Sequence, residues 1–140
     1  MKVSARNIID AKIVYIDKGA VTAKVILLAP KGTLLSAIVT LESANALAFA
    51  PDDAVSAFFK ASHVMVATGA LPSISARNKL PGKVVELLQG AVNAELSIRL
   101  ESGDILVSII TNEALNELQI REGTDVVAVI KASDVMIAKR

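Results

Sequence analysis

The side chains that could bind a ligand form a small set of hydrogen-bond donors. Arg6 lies two residues after Ser4, and Lys60 lies two residues before Ser62. A guanidinium fork or an ammonium beside a hydroxyl can donate hydrogen bonds to an oxyanion. One arginine and one lysine also balance a charge of −2, which a site must do when it removes the ion from water. The pattern therefore predicts a site for a small tetrahedral oxyanion.

Each of these residues, taken alone, also has an ordinary structural interpretation. An exposed arginine or an edge-strand lysine needs no ligand. Thr40 is placed to cap a short helix, with Ser43 in its first turn. The free N–H groups of a helix start can also attract an anion, but Glu42 at that end argues against direct contact. Capping and ligand binding both stay open for Thr40.

No combination of residues indicates an enzyme. The chain has no pair of catalytic carboxylates, no Ser/His/Asp set and no phosphate-binding loop. The absence of cysteine excludes disulfides, thiolate metal ligands and cysteine nucleophiles. The single histidine, His63, cannot form a polyhistidine metal site within one chain. We therefore expect no catalytic residue, no metal cation bound directly by side chains and no required cofactor.

The composition limits the possible partners. The 140 residues are 53% hydrophobic, carry a net charge of +1 and include one tyrosine and three phenylalanines. The balanced charge and scarce aromatics disfavour nucleic acid as a partner. No apolar run of about 18 residues predicts a membrane span, and no leader is visible at the start, so we expect a cytoplasmic protein. A mean hydropathy of +0.54 predicts self-association, because a small chain cannot bury so much apolar surface alone.

The sequence repeats itself. A shift of 71 residues aligns residues 4–69 with 75–140 without a gap, and 25 of the 66 aligned positions are identical. Ser-Ala-Arg-Asn at 4–7 recurs at 75–78, and Lys-Ala-Ser at 60–62 recurs at 131–133. Repetition at a fixed period is the signature of duplicated structural units. We therefore predict two tandem domains, residues 2–69 and 73–140.

Within each unit the hydrophobic pattern is mostly that of β-strands. Alternation over 3–8 predicts a strand that places Ser4 and Arg6 on one face. Further strands are predicted at 11–16, 20–28, 33–41, 54–60 and 62–67, with a turn at Gly19 where positive φ is cheap. The period changes over 42–49, which predicts a short helix capped by Thr40, or by Thr111 in the second copy. The fold class is mainly β: two OB-like small barrels, each with one short helix and each closed by its own last strands.

Four motifs occur in order in both copies and resemble those of a known family. They are Ser-Ala-Arg-Asn at 4–7, Gly-Ala-Val-x-Ala at 19–23, Thr-x-Glu at 40–42 and Lys-Ala-Ser at 60–62. Together they resemble the Mop (TOBE-type) molybdate-binding domain, and the tandem is similar to the two-domain molbindins. The resemblance implies an OB-like barrel per repeat, a homo-oligomer that is a trimer, and molybdate or tungstate held at interfaces between domains. The composition, and not the resemblance, is the reason to expect no nucleic-acid and no membrane partner.

The resemblance also implies a ligand set for each copy. The implied side-chain ligands are Ser4, Arg6, Thr40, Ser43, Lys60 and Ser62 in the first copy, and Ser75, Arg77, Thr111, Lys131 and Ser133 in the second. The implied additional contacts are backbone groups around Gly19, Ala20 and Val21 and around Gly90, Ala91 and Val92, with Asn93 beside them. The copies differ, because Thr22 replaces Asn93 in the first and Ala114 replaces Ser43 in the second. Unequal binding by the two copies is therefore expected.

The expected function is binding of molybdate for intracellular storage and homeostasis, without a catalysed reaction. The alternative is a molybdate-sensing regulatory module that acts through a partner protein. A DNA-reading element is not expected here, because only three residues precede the first motif. A transporter ATPase is disfavoured, because the chain lacks a Gly-x4-Gly-Lys-Ser/Thr loop.

Overall fold

The structure is a computed structural model that describes residues 2–70 and 73–140, and it is mainly β. The elements of the first unit are β1 (Asn7–Lys18), β2 (Thr22–Leu28), β3 (Leu34–Thr40), α1 (Leu41–Ala46), β4 (Ala54–Phe59), a 3-10 turn (Ala61–His63) and β5 (Met65–Ala67). Those of the second are β6 (Asn78–Gln89), β7 (Asn93–Leu100), β8 (Ile105–Thr111), α2 (Asn112–Glu117), β9 (Asp125–Ile130), a 3-10 turn (Ala132–Asp134) and β10 (Met136–Lys139). Neither helix is long and apolar enough to cross a membrane, judged over these described ranges.

The first strand differs from the sequence prediction. The end of the run predicted at 3–8 joins the run predicted at 11–16 in one strand, β1, with an irregularity between Ile13 and Tyr15 where it pairs with β2. Residues 3–6 lie outside any strand. The predicted alternation still holds, because Ser4 and Arg6 are exposed.

The two units exchange their last strands. The antiparallel sheets have the orders β10-β4-β1-β2-β3 and β5-β9-β6-β7-β8, so each contains one strand of the other unit. The prediction that each unit is closed by its own strands is therefore wrong. Residues 61–63 and 132–134 form 3-10 turns, not the start of a strand, and these turns pack against β8 and β3 of the other unit. The edge strands β3 and β10 contact each other, as do β5 and β8, which closes two small barrels.

One hydrophobic core serves both units. The buried cluster contains Ile13 and Phe59 of the first unit together with Leu96 and Ile130 of the second, all fully buried. The exchanged strands contribute to it, since Val66 of β5 and Ile137 of β10 pack against the cluster. The repeat in the sequence is therefore a repeat of elements around a shared interior.

Two buried asparagines join the units symmetrically. The amide of Asn7 donates to the carbonyl of Val107 at 2.8 Å and accepts from its N–H at 2.7 Å. The amide of Asn78 makes the equivalent bonds to Ser36, at 2.9 and 2.8 Å. Each asparagine is 3% exposed. Because Arg6 precedes Asn7 in the chain, these bonds also fix the backbone of the arginine against the other unit.

The end of the chain is tied to the first unit. The ammonium of Lys139, in β10, lies 3.2 Å from a carboxylate oxygen of Asp53 and donates to the carbonyls of Leu47 and Ala48. The backbone N–H of Ala50 and the Lys139 ammonium hold the pKa of Asp53 below its usual value. This ion pair supplements the β10–β4 strand pairing.

The turn glycines have a different role from the predicted one. Gly19 and Gly90 do not adopt positive φ, so that prediction is wrong. A Cβ on Gly19 would lie 3.2 Å from the carbonyl oxygen of Thr22, and one on Gly90 would lie 3.0 Å from that of Asn93. Glycine fits here because the backbone folds closely onto itself and leaves little room for a side chain.

Gly82 is the glycine with the tightest surroundings, and its replacement by alanine is expected to destabilise the fold. A Cβ there would lie 2.7 Å from the carbonyl oxygen of Arg99 and 2.8 Å from a side-chain carbon of Ile98. The overpacking should cost about 1–3 kcal/mol of unfolding free energy, measured by denaturant titration. The control is Ala11→Gly at the equivalent position, where about 0.5–1 kcal/mol is expected. Equal losses in both variants would refute this explanation.

Candidate functional site

All the donors that the sequence singles out lie on the surface of the single chain. The exposed side chains include Ser4, Arg6, Thr40, Ser43, Lys60, Ser62, Ser75, Arg77, Thr111, Lys131 and Ser133. The hairpin residues Gly19, Ala20, Val21, Gly90, Ala91, Val92 and Asn93 are exposed as well. Water therefore reaches every candidate ligand, and a dehydrated ion would need a further covering surface.

Arg6 lies against the second unit. One of its guanidinium nitrogens is 2.5 Å from Oε1 of Glu95, in the geometry of an ion pair, not of an aligned hydrogen bond. Arg6 borders an open groove of about 400 Å³, whose other lining residues are Leu88, Gln89, Gly90, Asn93, Ala94, Glu95 and Ile109. Since Asn93 pairs with Thr111 across β7 and β8, the groove leads to the N-cap of α2.

Lys60 and Ser62 are carried to the same side. Phe59 pairs with Asn7 across β4 and β1, which places the backbone of Lys60 beside that of Arg6. The 3-10 turn that contains Ser62 packs against β8, where the hydroxyl of Ser108 donates to the carbonyl of Val64 at 2.6 Å. The basic residues of the first unit therefore lie beside β7 and β8 of the second.

The second unit repeats the backbone arrangement, but Arg77 borders a different hollow, of about 360 Å³, together with Thr33, Leu34 and Glu101. Ile130 pairs with Asn78, which places Lys131 beside Arg77, and the turn that contains Ser133 packs against β3. Strand β3 ends at Thr40, the N-cap of α1. Across residues 2–70 and 73–140, no carboxylate lies within ion-pair distance of Arg77.

The candidate ligands therefore fall into two groups that each mix the units. The Arg6 group comprises Ser4, Arg6, Lys60 and Ser62 of the first unit with Gly90, Asn93 and Thr111 of the second. The Arg77 group is assigned by equivalence in the repeat: Ser75, Arg77, Lys131 and Ser133 of the second unit with Gly19, Thr40 and Ser43 of the first. The sequence indicated the residues but not this exchange of partners.

The capping hydroxyls are not equally free to donate. Thr40 accepts from the N–H of Ser43 at 3.0 Å, and its hydroxyl donates to Oγ of Ser43 at 2.8 Å. Thr111 accepts from the N–H of Ala114 at 3.1 Å. The helix-capping prediction is confirmed at both positions. Each helix start has one hydroxyl hydrogen left, that of Ser43 in the first unit and that of Thr111 in the second.

The hairpin tips offer fewer backbone donors than the resemblance implied. The N–H of Gly19 donates to Thr22, and that of Gly90 donates to Asn93, both at 2.8 Å. The carbonyls of Val21 and Val92 accept from the first residues of α1 and α2. Within the described parts of the chain, the N–H groups of Ala20, Val21, Ala91 and Val92 have no backbone acceptor. These four are the backbone donors available at the tips.

A further hollow on the surface lies away from the candidate donors. A hollow of about 620 Å³ is bordered by Gly82, Lys83, Arg99 and Asp125 and contains none of the candidate donors. In the described residues, no three of the His, Asp and Glu side chains cluster as metal ligands. The Arg6 group and the Arg77 group are therefore the main candidate binding sites.

Two features of the groups could not be read from the individual motifs. Asn7 and Asn78 occupy equivalent positions of the two copies. Each is hydrogen-bonded to the other unit, and these bonds follow from the strand exchange, which the motifs do not reveal. Glu95 lies between hydrophobic residues of a strand and belongs to none of the four motifs. The equivalent residue of the first copy is Lys24, which has the opposite charge. A charge reversal between otherwise similar copies was the available clue.

A family model and several known proteins are similar to this chain. The model of the TOBE domain matches twice, over residues 3–66 and 74–137. The molybdenum-pterin-binding protein MopA of Rhodobacter capsulatus is 36% identical over 139 residues, which cover 99% of this chain and 52% of that protein. Molybdenum-pterin-binding protein 3 of Clostridium pasteurianum is 49% identical over 65 residues, 46% of this chain and 96% of its own length. The chain thus spans about half the length of MopA.

The architecture also has a solved counterpart. The crystal structure of the cytoplasmic molybdate-binding protein ModG, in a form with molybdate bound, superposes with a TM-score of 0.94 at 42% sequence identity. The match covers 99% of both chains. At this identity and coverage, the OB-like barrels and their tandem arrangement are common to both proteins. With two matches that together cover most of its length, the chain belongs to the TOBE-domain family.

Proposed function

We propose that this protein binds molybdate, and tungstate as its close analogue, at the Arg6 and Arg77 groups. The proposal is carried by two equivalent places where an arginine lies beside a lysine of the same unit and the following serine-containing turn packs against the other unit. The molybdate-bound state of the similar protein ModG supports the choice of ion. The role is storage and homeostasis of molybdenum in the cytoplasm, without a catalysed reaction or a required cofactor.

Charge and hydrogen bonding support a dianion in the Arg77 group. Arg77 and Lys131 together carry +2, and a guanidinium fork donates to two oxygens at once. Ser43, Ser75 and Ser133 add hydroxyl donors that do not bring negative charge. A tetrahedral dianion thus finds donors on several sides.

Covering the ion requires further chains, and we propose a homo-trimer. Large apolar side chains are exposed at equivalent positions of the two units: Val21 is 76% and Val92 is 70% exposed, and Leu34 and Ile105 are exposed likewise. Exposed apolar residues that recur beside the donor groups favour an interface there. A trimer would remove both the hydrophobic tips and the candidate ligands from water.

The test is calorimetric titration with molybdate, tungstate, sulfate and phosphate, together with the native mass of the protein. We expect tight binding of molybdate and tungstate, a trimeric mass, and a higher melting temperature with ligand. A hundredfold excess over the dissociation constant stabilises the assembly by about 2.7 kcal/mol. A melting temperature unchanged by millimolar molybdate, with no heat of binding, would refute the proposal.

Ser43→Ala is expected to weaken binding at the Arg77 group only a few-fold. Removing Oγ of Ser43 frees the hydroxyl hydrogen of Thr40, which recreates the arrangement of Thr111 and Ala114 in the other unit. The measurement is molybdate titration of Ser43→Ala beside Thr40→Val, which removes the capping hydroxyl altogether. Should Ser43→Ala abolish binding while Thr40→Val leaves it intact, the assignment of donors is wrong.

The alternative, a molybdate-sensing module that acts through a partner protein, uses the same groups. The molybdenum transport protein ModE of Azotobacter vinelandii is 31% identical over 138 residues, which cover 99% of this chain and 51% of that protein. Similar units thus also occur within longer chains. A partner that binds this protein only in the presence of molybdate would favour the alternative.

A further inference from the structure

We infer that Glu95 makes the Arg6 group the weaker of the two oxyanion sites, by occupying the guanidinium that would otherwise receive the anion. The inference rests on the proposed function and specifies how the two sites differ. Arg6 and Glu95 form an ion pair across the unit boundary, inside the groove that also contains Gly90 and Asn93. An incoming dianion must displace this carboxylate or tolerate it.

The position of Glu95 makes displacement costly. Its side chain is 25% exposed, and Oε1 is buried with no aligned hydrogen-bond donor in the described structure. If an anion took over Arg6, this partly buried carboxylate would lose its counter-charge. An uncompensated buried carboxylate is unfavourable, and it would also repel the bound anion.

The equivalent position of the first unit has the opposite charge. Lys24 replaces Glu95, and the two are placed alike, since Lys24 pairs with Ile38 and Glu95 pairs with Ile109 across equivalent strands. Arg77 is held beside β3 by the Asn78–Ser36 bonds, as Arg6 is held beside β8 by the Asn7–Val107 bonds. The Arg77 group therefore has a lysine where the Arg6 group has a carboxylate. Glu101 borders the same hollow as Arg77, but among the described residues it forms no ion pair with that arginine.

The neighbouring hairpin positions do not cancel this difference. Asp17 and Lys18 of the first unit correspond to Leu88 and Gln89 of the second. Their charges offset each other, and the amine of Lys18 donates to Asn45. Asp17, Lys18 and Lys24 together give these first-unit positions a net charge of +1. At the corresponding second-unit positions only Glu95 is charged, so their net charge is −1. The difference of two charges favours the dianion at the Arg77 group.

The test isolates each site in the full-length chain. Lys131→Ala leaves the Arg6 group as the intact site, and Lys60→Ala leaves the Arg77 group. Glu95→Gln keeps the shape of that side chain and removes its charge. Added to Lys131→Ala, it should raise the molybdate affinity about tenfold over that of Lys131→Ala alone. Adding Lys24→Glu to Lys60→Ala should lower affinity by a similar factor. The matched control is Glu122→Gln, which makes the same charge change at an exposed turn residue and should have little effect.

The outcomes separate this inference from the proposed function. In the unmodified protein we expect two classes of molybdate site, the tighter one lost in Lys131→Ala. If the protein binds molybdate but Glu95→Gln changes affinity no more than Glu122→Gln does, the inference is overturned and the proposed function stands. If the unmodified protein binds no molybdate, the proposed function itself fails. Native mass and circular dichroism of each variant establish that the fold is retained.

Discussion

Replacing Lys131 by alanine is expected to weaken molybdate binding at the Arg77 group by about 2–5 kcal/mol. The physical reason is that the ion keeps its charge of −2, whereas Arg77 alone remains of the adjacent Arg77–Lys131 pair to balance it. Lys131 is exposed in the single chain. If it binds no ligand, its replacement by alanine should change the free energy of unfolding by less than about 0.5 kcal/mol. Calorimetry and denaturant titration together distinguish the two roles.

A conservative change sharpens this prediction. Arg77→Lys keeps the charge but replaces the planar fork by a single ammonium, so binding should weaken even though the net charge is unchanged. Lys12→Ala, at an exposed strand lysine of the first unit, is the matched control and should bind molybdate as the unmodified protein does. Equal affinity in Lys131→Ala, Arg77→Lys and the control would remove these side chains from the site.

Asn78→Ala is expected to lower the free energy of unfolding by about 2–4 kcal/mol, because it leaves both the N–H and the carbonyl of Ser36 without their partner. Asn7→Ala should have a similar effect through Val107. The same variants should weaken molybdate binding, since each asparagine fixes the arginine that precedes it.

The controls for the asparagines separate the lost bonds from a general effect of the substitution. Asn116→Ala, at an exposed position of α2, should change stability by less than about 0.5 kcal/mol. Asn78→Asp retains an acceptor for the N–H of Ser36 but loses the donor to its carbonyl, so it should also destabilise the fold. Denaturant titration in which Asn78→Ala matches Asn116→Ala would show that these bonds contribute nothing.

Local features of the fold were predictable because they depend on near neighbours in the chain. The change of period over 42–49 and the threonine before it predicted α1 and its cap, and the structure confirms both. The family, the OB-like barrels and the tandem arrangement were also predictable, since four ordered motifs occur twice. The alternation that exposes Ser4 and Arg6 held even where no strand formed.

The partners of the last strands were not predictable from the same reasoning. A run such as 62–67 fits a strand equally well in either sheet, because its hydrophobic pattern does not encode which edge it pairs with. The 3-10 turn at 61–63 and the shared core decide the exchange, and both depend on contacts distant in sequence. For the same reason, the pairing of Arg6 with Glu95 was invisible until the units were placed together.

The central claim, that an oxyanion is bound by groups drawn from both units, is tested most directly by the position of the metal. Crystals grown with molybdate should give an anomalous scattering peak at the molybdenum edge beside Arg77 and Lys131 of the second unit and Ser43 of the first. A weaker peak is expected beside Arg6 and Lys60. No peak in either place, or a peak surrounded by candidate ligands of one unit alone, would contradict the account.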